Sequence, residues 1–515
     1  MLSQINPKNT LSGGHMKKYI VTAWPTLMVI IILAMALSLP LLGSTCTFTP
    51  IPTALIVSPS MGDTYATSQT VSFSANLTNV TSSTNMQLNL DMVPVTQNGW
   101  VVIQDETDSE KIWITDFVKD LNVGIISFKM SSFFDGGHQI TITFPDQETS
   151  VPGLVQFAVH AFGTGASGAL SITSNTTWSS VTGVRYAVVQ GIGSDYAVID
   201  SSSGFTVGDE ILMINSQGNT SAYGSVGTWE ILTIKTISGN TIYFTAPVEK
   251  SYGSGQKIQM LRIPQFTDFT ISATVSLPAW NGSIYGIMAF RANNTLTFGD
   301  AGQIYATAKG YRGWIASDGN AYYGEGVGGI GQTAGSFNGG AAGSGGSYGA
   351  NGGAHYENGN PTCNNPTGPS AETPSVGDIE LLKIIMGGAG GSTVDNDANY
   401  DTTGGGYGGG VVMFGAKNAS NVSIVSNGTK GGNANPSTKC DCDTAAGGGA
   451  GGAIYMSCET IGIRSVTAIG GNGGTGGCNS YFNGGNGGVG RIRIDSSNIT
   501  GSTTPSAYVP QPEGL

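Results

Sequence analysis

The sequence predicts an all-β protein: an N-terminal β-sandwich, a small β-barrel-like domain, and β-solenoid-like repeats with Gly-rich insertions of the polyglycine II type. Three observations predict it. Glycine supplies 80 of 515 residues, roughly twice ordinary usage. Charged residues make up 10%, against about 25% in ordinary domains. A stretch of the C-terminal half repeats itself without gaps. The missing charge is replaced by Ser, Thr, Asn and Gly, and the net charge is −12. Such a neutral, slightly acidic surface excludes nucleic acid as a partner, because phosphate contacts need clustered Lys and Arg. Apolar residues, at 39%, suffice for real cores, so the chain is not globally disordered.

Residues 1–45 read as a signal peptide or an N-terminal membrane anchor. Met16-Lys17-Lys18 precede an apolar run from Tyr19 to Gly43, the charge asymmetry of an export signal, and the run is long enough to span a bilayer. Everything beyond is then extracellular, touching the membrane through this segment alone. Residues 46–165 read as a β-sandwich. Val71-Phe73-Ala75-Leu77 and Ile140-Ile142-Phe144 alternate with period two, and Trp100 to Ile103 and Leu154 to Phe162 are apolar strand-like runs. A helix is expected around Ile112 to Leu121. Residues 166–270 form a second β unit with strands at Tyr196–Ile199, Glu210–Ile214, Trp229–Ile237, Thr241–Phe244 and Ile258–Ile263, which suit a strongly bent sheet or small barrel.

Residues 271–500 carry the repeat. Gly410-Val-Val-Met-Phe-Gly-Ala416 and its continuation to Gly432 align on Gly452-Ala-Ile-Tyr-Met-Ser-Cys458 and its continuation to Gly474. An earlier copy begins at Gly286-Ile-Met-Ala-Phe-Arg-Ala292, and a truncated one at Gly488-Val-Gly-Arg-Ile-Arg-Ile494. One copy cannot bury its apolar face, whereas stacked copies can, so Val412 and Ile454 should occupy equivalent buried positions. The alternative is an ordinary sandwich with look-alike strands. Between the copies lie Gly-rich insertions, 314–376 and 387–409 among them. Extended three-residue-per-turn helices can pack side by side there when each contact residue is glycine. Residues 501–515 are a polar tail.

Phe205-Thr-Val-Gly-Asp-Glu-Ile-Leu-Met-Ile214, Gly239 to Pro247, Ile263-Pro-Gln-Phe266, Pro278-Ala-Trp-Asn-Gly282, Ala289-Phe-Arg-Ala292 and Gly487 to Ile494 form an ordered string of motifs. It resembles glycine-rich repeat modules of bacterial and archaeal extracellular surface proteins. The resemblance covers about 185–498 and implies location and architecture rather than an activity. The Gly-rich insertions are also similar, more weakly, to the glycine-rich region of anaplastic lymphoma kinase and to phage tail-tip adhesins.

Few residues suggest chemistry. Asp395, Asp397, Asn399 and Asp401 place oxygens at alternate positions, as a Ca²⁺ loop does. Tyr400 and Gly406 stand where an EF-hand has Gly and Glu, so the expected site is a looser Ca²⁺ loop, with a plain polar loop as the other reading. Beyond Ca²⁺ no cofactor is expected. Cys363, Cys440, Cys442, Cys458 and Cys478 can form disulfides in an oxidising compartment, with pairing open. Ten sequons, at Asn76, Asn79, Asn175, Asn219, Asn281, Asn293, Asn418, Asn421, Asn427 and Asn498, can take N-glycans in an exported chain. Acids and bases such as Glu459, Arg464, Arg491, Arg493, His138, His160 and His355 are scattered, so catalysis is not expected. Tyr322, Tyr323, Tyr348, Tyr356 and Tyr407 suit contact with carbohydrate or protein. The expected function is an extracellular cell-surface structural or adhesive protein, self-assembling into a filament, sheath or surface layer, with other surface proteins or glycans as partners. The alternative is a carbohydrate-active β-helix, a polysaccharide lyase or glycosidase, or a glycan-binding tip protein.

Overall fold

The computed structural model describes residues 51–61, 64–66, 71–102, 111–131, 136–147, 150–160, 162–219, 221–313, 324–327, 376–394, 402–434, 445–476, 483–496 and 498–510. Among them the structure is all β, apart from one short 3₁₀ turn at Trp178–Ser180. The apolar run Tyr19 to Gly43 lies outside the described residues. No helix among the described residues is long and apolar enough to cross a membrane.

Two five-stranded sheets make the N-terminal sandwich. The strand Val71–Thr78 shows why: Val71, Phe73, Ala75 and Leu77 point inward while Ser72, Asn76 and Thr78 face solvent. The sheets meet over Phe73 stacked on Phe128 at 4.5 Å, with Ile112, Ile114, Ile140 and Ile142 wholly buried around them. The helix expected around Ile112 to Leu121 is instead the strand Lys111–Asp120. A bulge between Thr115 and Val118 breaks the period-two pattern there, which hid the strand in the sequence.

A closed barrel follows, built from Arg185–Ile192, Tyr196–Ile199, Thr241–Phe244, Trp229–Ser238, Glu210–Gln217 and Lys257–Arg262. Its core holds Ile199, Ile211, Met213, Ile242 and Met260. The strand Glu210–Gln217 is buried along its whole length. Ile211 and Met213 enter the barrel, while Leu212 and Ile214 pack with Ile287, Val411 and Met413 on the wall of the next unit.

That unit is a parallel β-solenoid. Met288, Val412, Ile454 and Ile492 stack in one inward column, and Phe290, Phe414, Met456 and Ile494 in the next. Val412 and Ile454 are thus equivalent and fully buried. The Phe290 and Phe414 rings lie 5.1 Å apart and 8° from parallel. Val275, Ile304, Ile424 and Val466 stack across the corner. The last copy enters the ladder at Gly490 rather than Gly488, because Ala453 pairs with Arg491.

The sheets divide the chain differently from the expected boundary at 270. Leu170–Ile172 and Thr176–Thr177 pair in parallel with Gln265–Ile271 and Thr274–Ser276. The first rung therefore precedes the barrel, which sits as an insert between rungs. Rungs this short carry no visible repeat. Trp178 closes one end of the core, its ring 5.7 Å from Phe290. At the other end the tail turns back: Tyr508 N–H donates to Ile492 O at 2.8 Å, and Ala507 and Val509 cover the core. Capped ends are what a soluble solenoid needs.

Gly-rich segments complete the turns. Gly406 and Gly409 donate to Gly447 and Ala450, Gly448 and Gly451 to Gly485 and Gly488, and Ala446, Gly449 and Gly452 to Gly432, Thr429 and Ser426, all at 2.8–3.0 Å. Each series steps by three residues, as three-residue-per-turn helices without internal hydrogen bonds present their groups. These glycines do not have positive φ; the constraint is space. A Cβ on Gly408 would stand 1.8 Å from Gly387 O, and one on Gly428 would stand 1.9 Å from Gly449 O. At the outer positions asparagine replaces the missing neighbour. Asn486 and Asn483 Oδ1 accept from Gly473 and Gly476 N–H at 2.8 Å.

Two substitutions test the packing. Phe414→Ala opens the stacked column and should lower stability by about 3–5 kcal/mol. Gly428→Ala forces neighbouring helices apart and should lower it by about 1–3 kcal/mol or more. Gly191→Ala is the control, since a Cβ there meets only Val198 Cβ at 4.0 Å and its φ is not positive. Chemical denaturation of the purified chain reads all three.

Candidate functional site

Three of the motifs meet at one place. Glu210 opens the doubly buried barrel strand, Gln265 begins a solenoid rung, and Arg291 lies on the next rung. The Glu210 side chain is 1% exposed and that of Arg291 7%. Arg291 Nη2 donates to Glu210 Oε1 at 2.9 Å and its Nε to Oε2 at 3.3 Å. Gln265 Nε2 adds a third bond to Oε2 at 2.9 Å. Gln265 Oε1 in turn accepts from Thr164 N–H at 2.6 Å and from its hydroxyl at 2.8 Å. The chain leaving the sandwich crosses here at Gly163, whose φ is +86° and whose Cβ would stand 2.6 Å from Arg291 Cβ. One carboxylate thus joins that linker, the barrel and two rungs. The forked guanidinium is what makes so buried a pair tolerable, since it fills both carboxylate oxygens; a lysine could not.

Beside it Arg262 Nε meets Asp209 Oδ1 at 2.7 Å, Arg262 Nη1 donates to Gly183 O at 3.0 Å, and Asp209 Oδ2 accepts from Thr206 N–H at 2.7 Å. A cleft of about 620 Å³ opens over these pairs, lined also by Ser167, Thr233, Lys235 and Thr245. The carboxylates facing it are already engaged by arginine. Chemically the network is a clamp that fixes one part of the fold on another.

Two further carboxylates report on burial. Burial alone pushes Glu325 up, but the Arg312 fork outweighs it and holds Glu325 below the ordinary value. The fork donates from Nε at 3.0 Å and from Nη2 at 3.2 Å. Glu230 has no such partner. Burial pushes its carboxyl up to about 7, against a hydrogen bond from Glu249 N–H, and its Oε1 has no hydrogen-bond partner.

The residues singled out from sequence are distributed as follows. Asp395, Asp397, Asn399 and Asp401 lie outside the described residues, as do Cys363, Cys440, Cys442 and Cys478. The Cys458 thiol is free and buried, stacked beyond Ala416 in an inward column, and burial pushes it up to about 12. It serves as a small apolar side chain. Asn76, Asn79, Asn175, Asn281 and Asn498 are exposed, whereas Asn219, Asn293, Asn418, Asn421 and Asn427 are half-buried. Asn418 Nδ2 donates to Asn294 O at 3.3 Å and Asn421 Nδ2 to Phe298 O at 2.9 Å; these amides hold rungs together. Arg464 donates to Gly299 O at 2.8 Å and Asp300 O at 2.9 Å, closing a corner. Arg493 Nε donates to Asp495 Oδ1 at 2.8 Å, and the same carboxylate accepts from Tyr455. Glu459 is exposed. His138 is buried, its Nδ1 2.7 Å from Asp91 Oδ2. The side chain of His160 and all of His355, Tyr322, Tyr323, Tyr348 and Tyr356 lie outside the described residues; Tyr407 is part-exposed. Sequence reasoning passed over Glu210 and Arg291; the available signal was Arg291, a single charge within the apolar run Ile287 to Ala292.

The outer wall of the solenoid is also ordered. Asp268, Thr295, Asn418, Thr460 and Asn498 stand in one column. Thr460 Oγ1 donates to Asn418 Oδ1 at 3.0 Å and Thr295 Oγ1 to Asp268 Oδ1 at 2.6 Å. Two residues along, Thr270, Thr297 and Ser420 make a second column.

No protein-family model and no curated protein matches the sequence. Among solved structures, the chain is similar to DIP-gamma IG1+IG2 over 39% of its own length and 85% of that chain, at 10% identity and a TM-score of 0.15. It is similar to the gp54 tailspike of Acinetobacter baumannii bacteriophage AP22, solved with A. baumannii capsular saccharide, over 64% of its own length and 57% of that chain, at 12% identity and a TM-score of 0.15. Likeness this slight assigns neither a family nor a ligand.

Two outcomes are expected. Arg291→Met should lower stability by about 3–5 kcal/mol by stranding a buried carboxylate, and adding Glu210→Leu should recover much of that loss in denaturant unfolding. The Glu230 carboxyl is raised in the folded chain, so the folded state holds the extra proton. Its stabilising effect is present at low pH and is lost as pH rises from about 4.5 to about 7. Glu230→Gln should abolish that part of the pH dependence of Tm.

Proposed function

We propose that the protein is an extracellular, non-catalytic structural or adhesive component of a cell surface, assembling with its own kind into a filament, sheath or surface layer. The solvent-facing wall of the solenoid carries the proposal. Its columns offer hydroxyl and amide groups at rung spacing, about 4.8 Å, with Asp268 as the charge at one end. Such a wall carries little charge to be screened and is therefore indifferent to salt. The charges at the cleft add to this, since Asp209 and Glu210 are already engaged by Arg262 and Arg291. The motif string similar to surface-protein modules points the same way. Fixed hydroxyl and amide groups also suit a neutral glycan, and glycan binding is the second reading.

Electron microscopy of cells and of the purified chain tests the proposal, together with protease shaving of intact cells. Surface-exposed protein in regular filaments or a lattice is the expected outcome. A cytoplasmic monomer, or one that depolymerises a polysaccharide, would overturn it.

A further inference from the structure

We propose that Asn76 carries an N-linked glycan whose first sugars lie over Leu55 and Ile125. This rests on the extracellular reading above. Asn76 sits mid-strand on the outward face of the sandwich sheet, with Thr78 of its sequon exposed beside it. The register sets Leu55 directly opposite Asn76 on one neighbouring strand and Ile125 directly opposite on the other. Opposed side chains of this kind have Cβ atoms about 4.5–5.5 Å apart. Leu55 is 67% exposed and Ile125 is 39% exposed.

The face shows Ser72, Ser74, Ser127 and Lys129 to water, together with the exposed aliphatic side chains of Val57, Val118, Leu55 and Ile125. Here two of them flank an attachment point on the same face. A pyranose has one C–H-rich face, and a sugar rooted at Asn76 Nδ2 reaches both neighbours without bending the strand. Burial of their apolar area then favours the packed arrangement. Two other exposed sequons lack this setting. Asn79 donates its Nδ2 to Ile51 O at 3.0 Å, and Asn498 lies opposite Thr460 in the hydroxyl column.

The chemistry is a group transfer from a polyprenyl-phosphate-linked oligosaccharide supplied by the export machinery. The Nδ2–C1 bond forms as the bond from C1 to the phosphate oxygen breaks. The amide proton passes to a base of the transferase and the polyprenyl phosphate departs. No oxidant or reductant is involved.

The test uses the full chain secreted by an N-glycosylating host, mapped by peptide mass spectrometry. The Asn76 peptide should carry a saccharide mass. Asn76→Gln and, separately, Thr78→Ala should each lower Tm by about 2 °C or more. In a Leu55→Ser/Ile125→Ser background the same two changes should leave Tm unmoved, a non-additivity expected of groups in contact. If Asn175, Asn281 or Asn498 is occupied and Asn76 is bare, this inference fails while the extracellular reading stands. If no sequon is occupied, both lose their support. An occupied Asn76 with additive effects would overturn the packing. So would a bare Asn76 in a dimer that Leu55→Ser dissociates, which would make a second copy the occupant.

Discussion

The solenoid depends on how closely its Gly-rich returns approach one another. A rung offers several apolar columns, Val412, Phe414 and Ile424 among them, and must come back to its start within a single layer. The returns do this as extended helices whose backbone N–H groups bond to neighbouring backbones at 2.8–3.0 Å every third residue. At that separation the contact positions leave no room for a Cβ: a methyl on Gly408 would overlap Gly387 O. Glycine is demanded by distance rather than by φ, which distinguishes these positions from ordinary turn glycines. The composition follows from this. A bundle held by backbone groups needs no charged side chains inside, and its outer positions need a carbonyl on a short stem, which Asn supplies at positions 483 and 486.

The barrel depends on the solenoid in turn. Its strand Glu210–Gln217 is apolar on both faces at residues 211–214 because one face fills the barrel and the other covers the wall formed by Ile287, Val411 and Met413. A strand buried on both sides leaves no route to solvent for a charge at its start. Glu210 therefore meets a fork from Arg291, which comes from a rung reached only after the barrel has closed. The same carboxylate holds Gln265, and through it the Thr164 linker. Replacing this cluster by apolar groups could match its stability, as buried ion pairs generally allow. What the charges add is register: they fit one placement of three separate segments.

The surface left over is neutral. Asparagines of the Asn-x-Ser/Thr type fall into two populations there. Asn418 and Asn421 are drawn into rung-to-rung hydrogen bonds, while Asn76 stands free on the sandwich. The same three-residue pattern thus serves a ladder in one place and an accessible amide in another, and only the neighbouring strands distinguish them.

Much of this was written in local sequence. Period-two alternation fixed the strand Val71–Thr78, and the ungapped match of Gly410 to Gly452 fixed the parallel pairing of Val412 with Ile454, because a repeated pattern can bury its apolar face only against itself. Glycine runs with three-residue spacing implied the extended bundle for the same reason. The strand Lys111–Asp120 was obscured, since a bulge at Thr115 disrupts its period. The first rung, Leu170–Ile172 and Thr176–Thr177, was invisible: its partners lie across the whole barrel, and so few residues carry no pattern of their own. The partners of Glu210 and Arg291 were undetermined as well. A lone charge in an apolar run announces that it must be paired, but which charge reaches it depends on where two distant strands come to rest, and that is settled by tertiary packing alone.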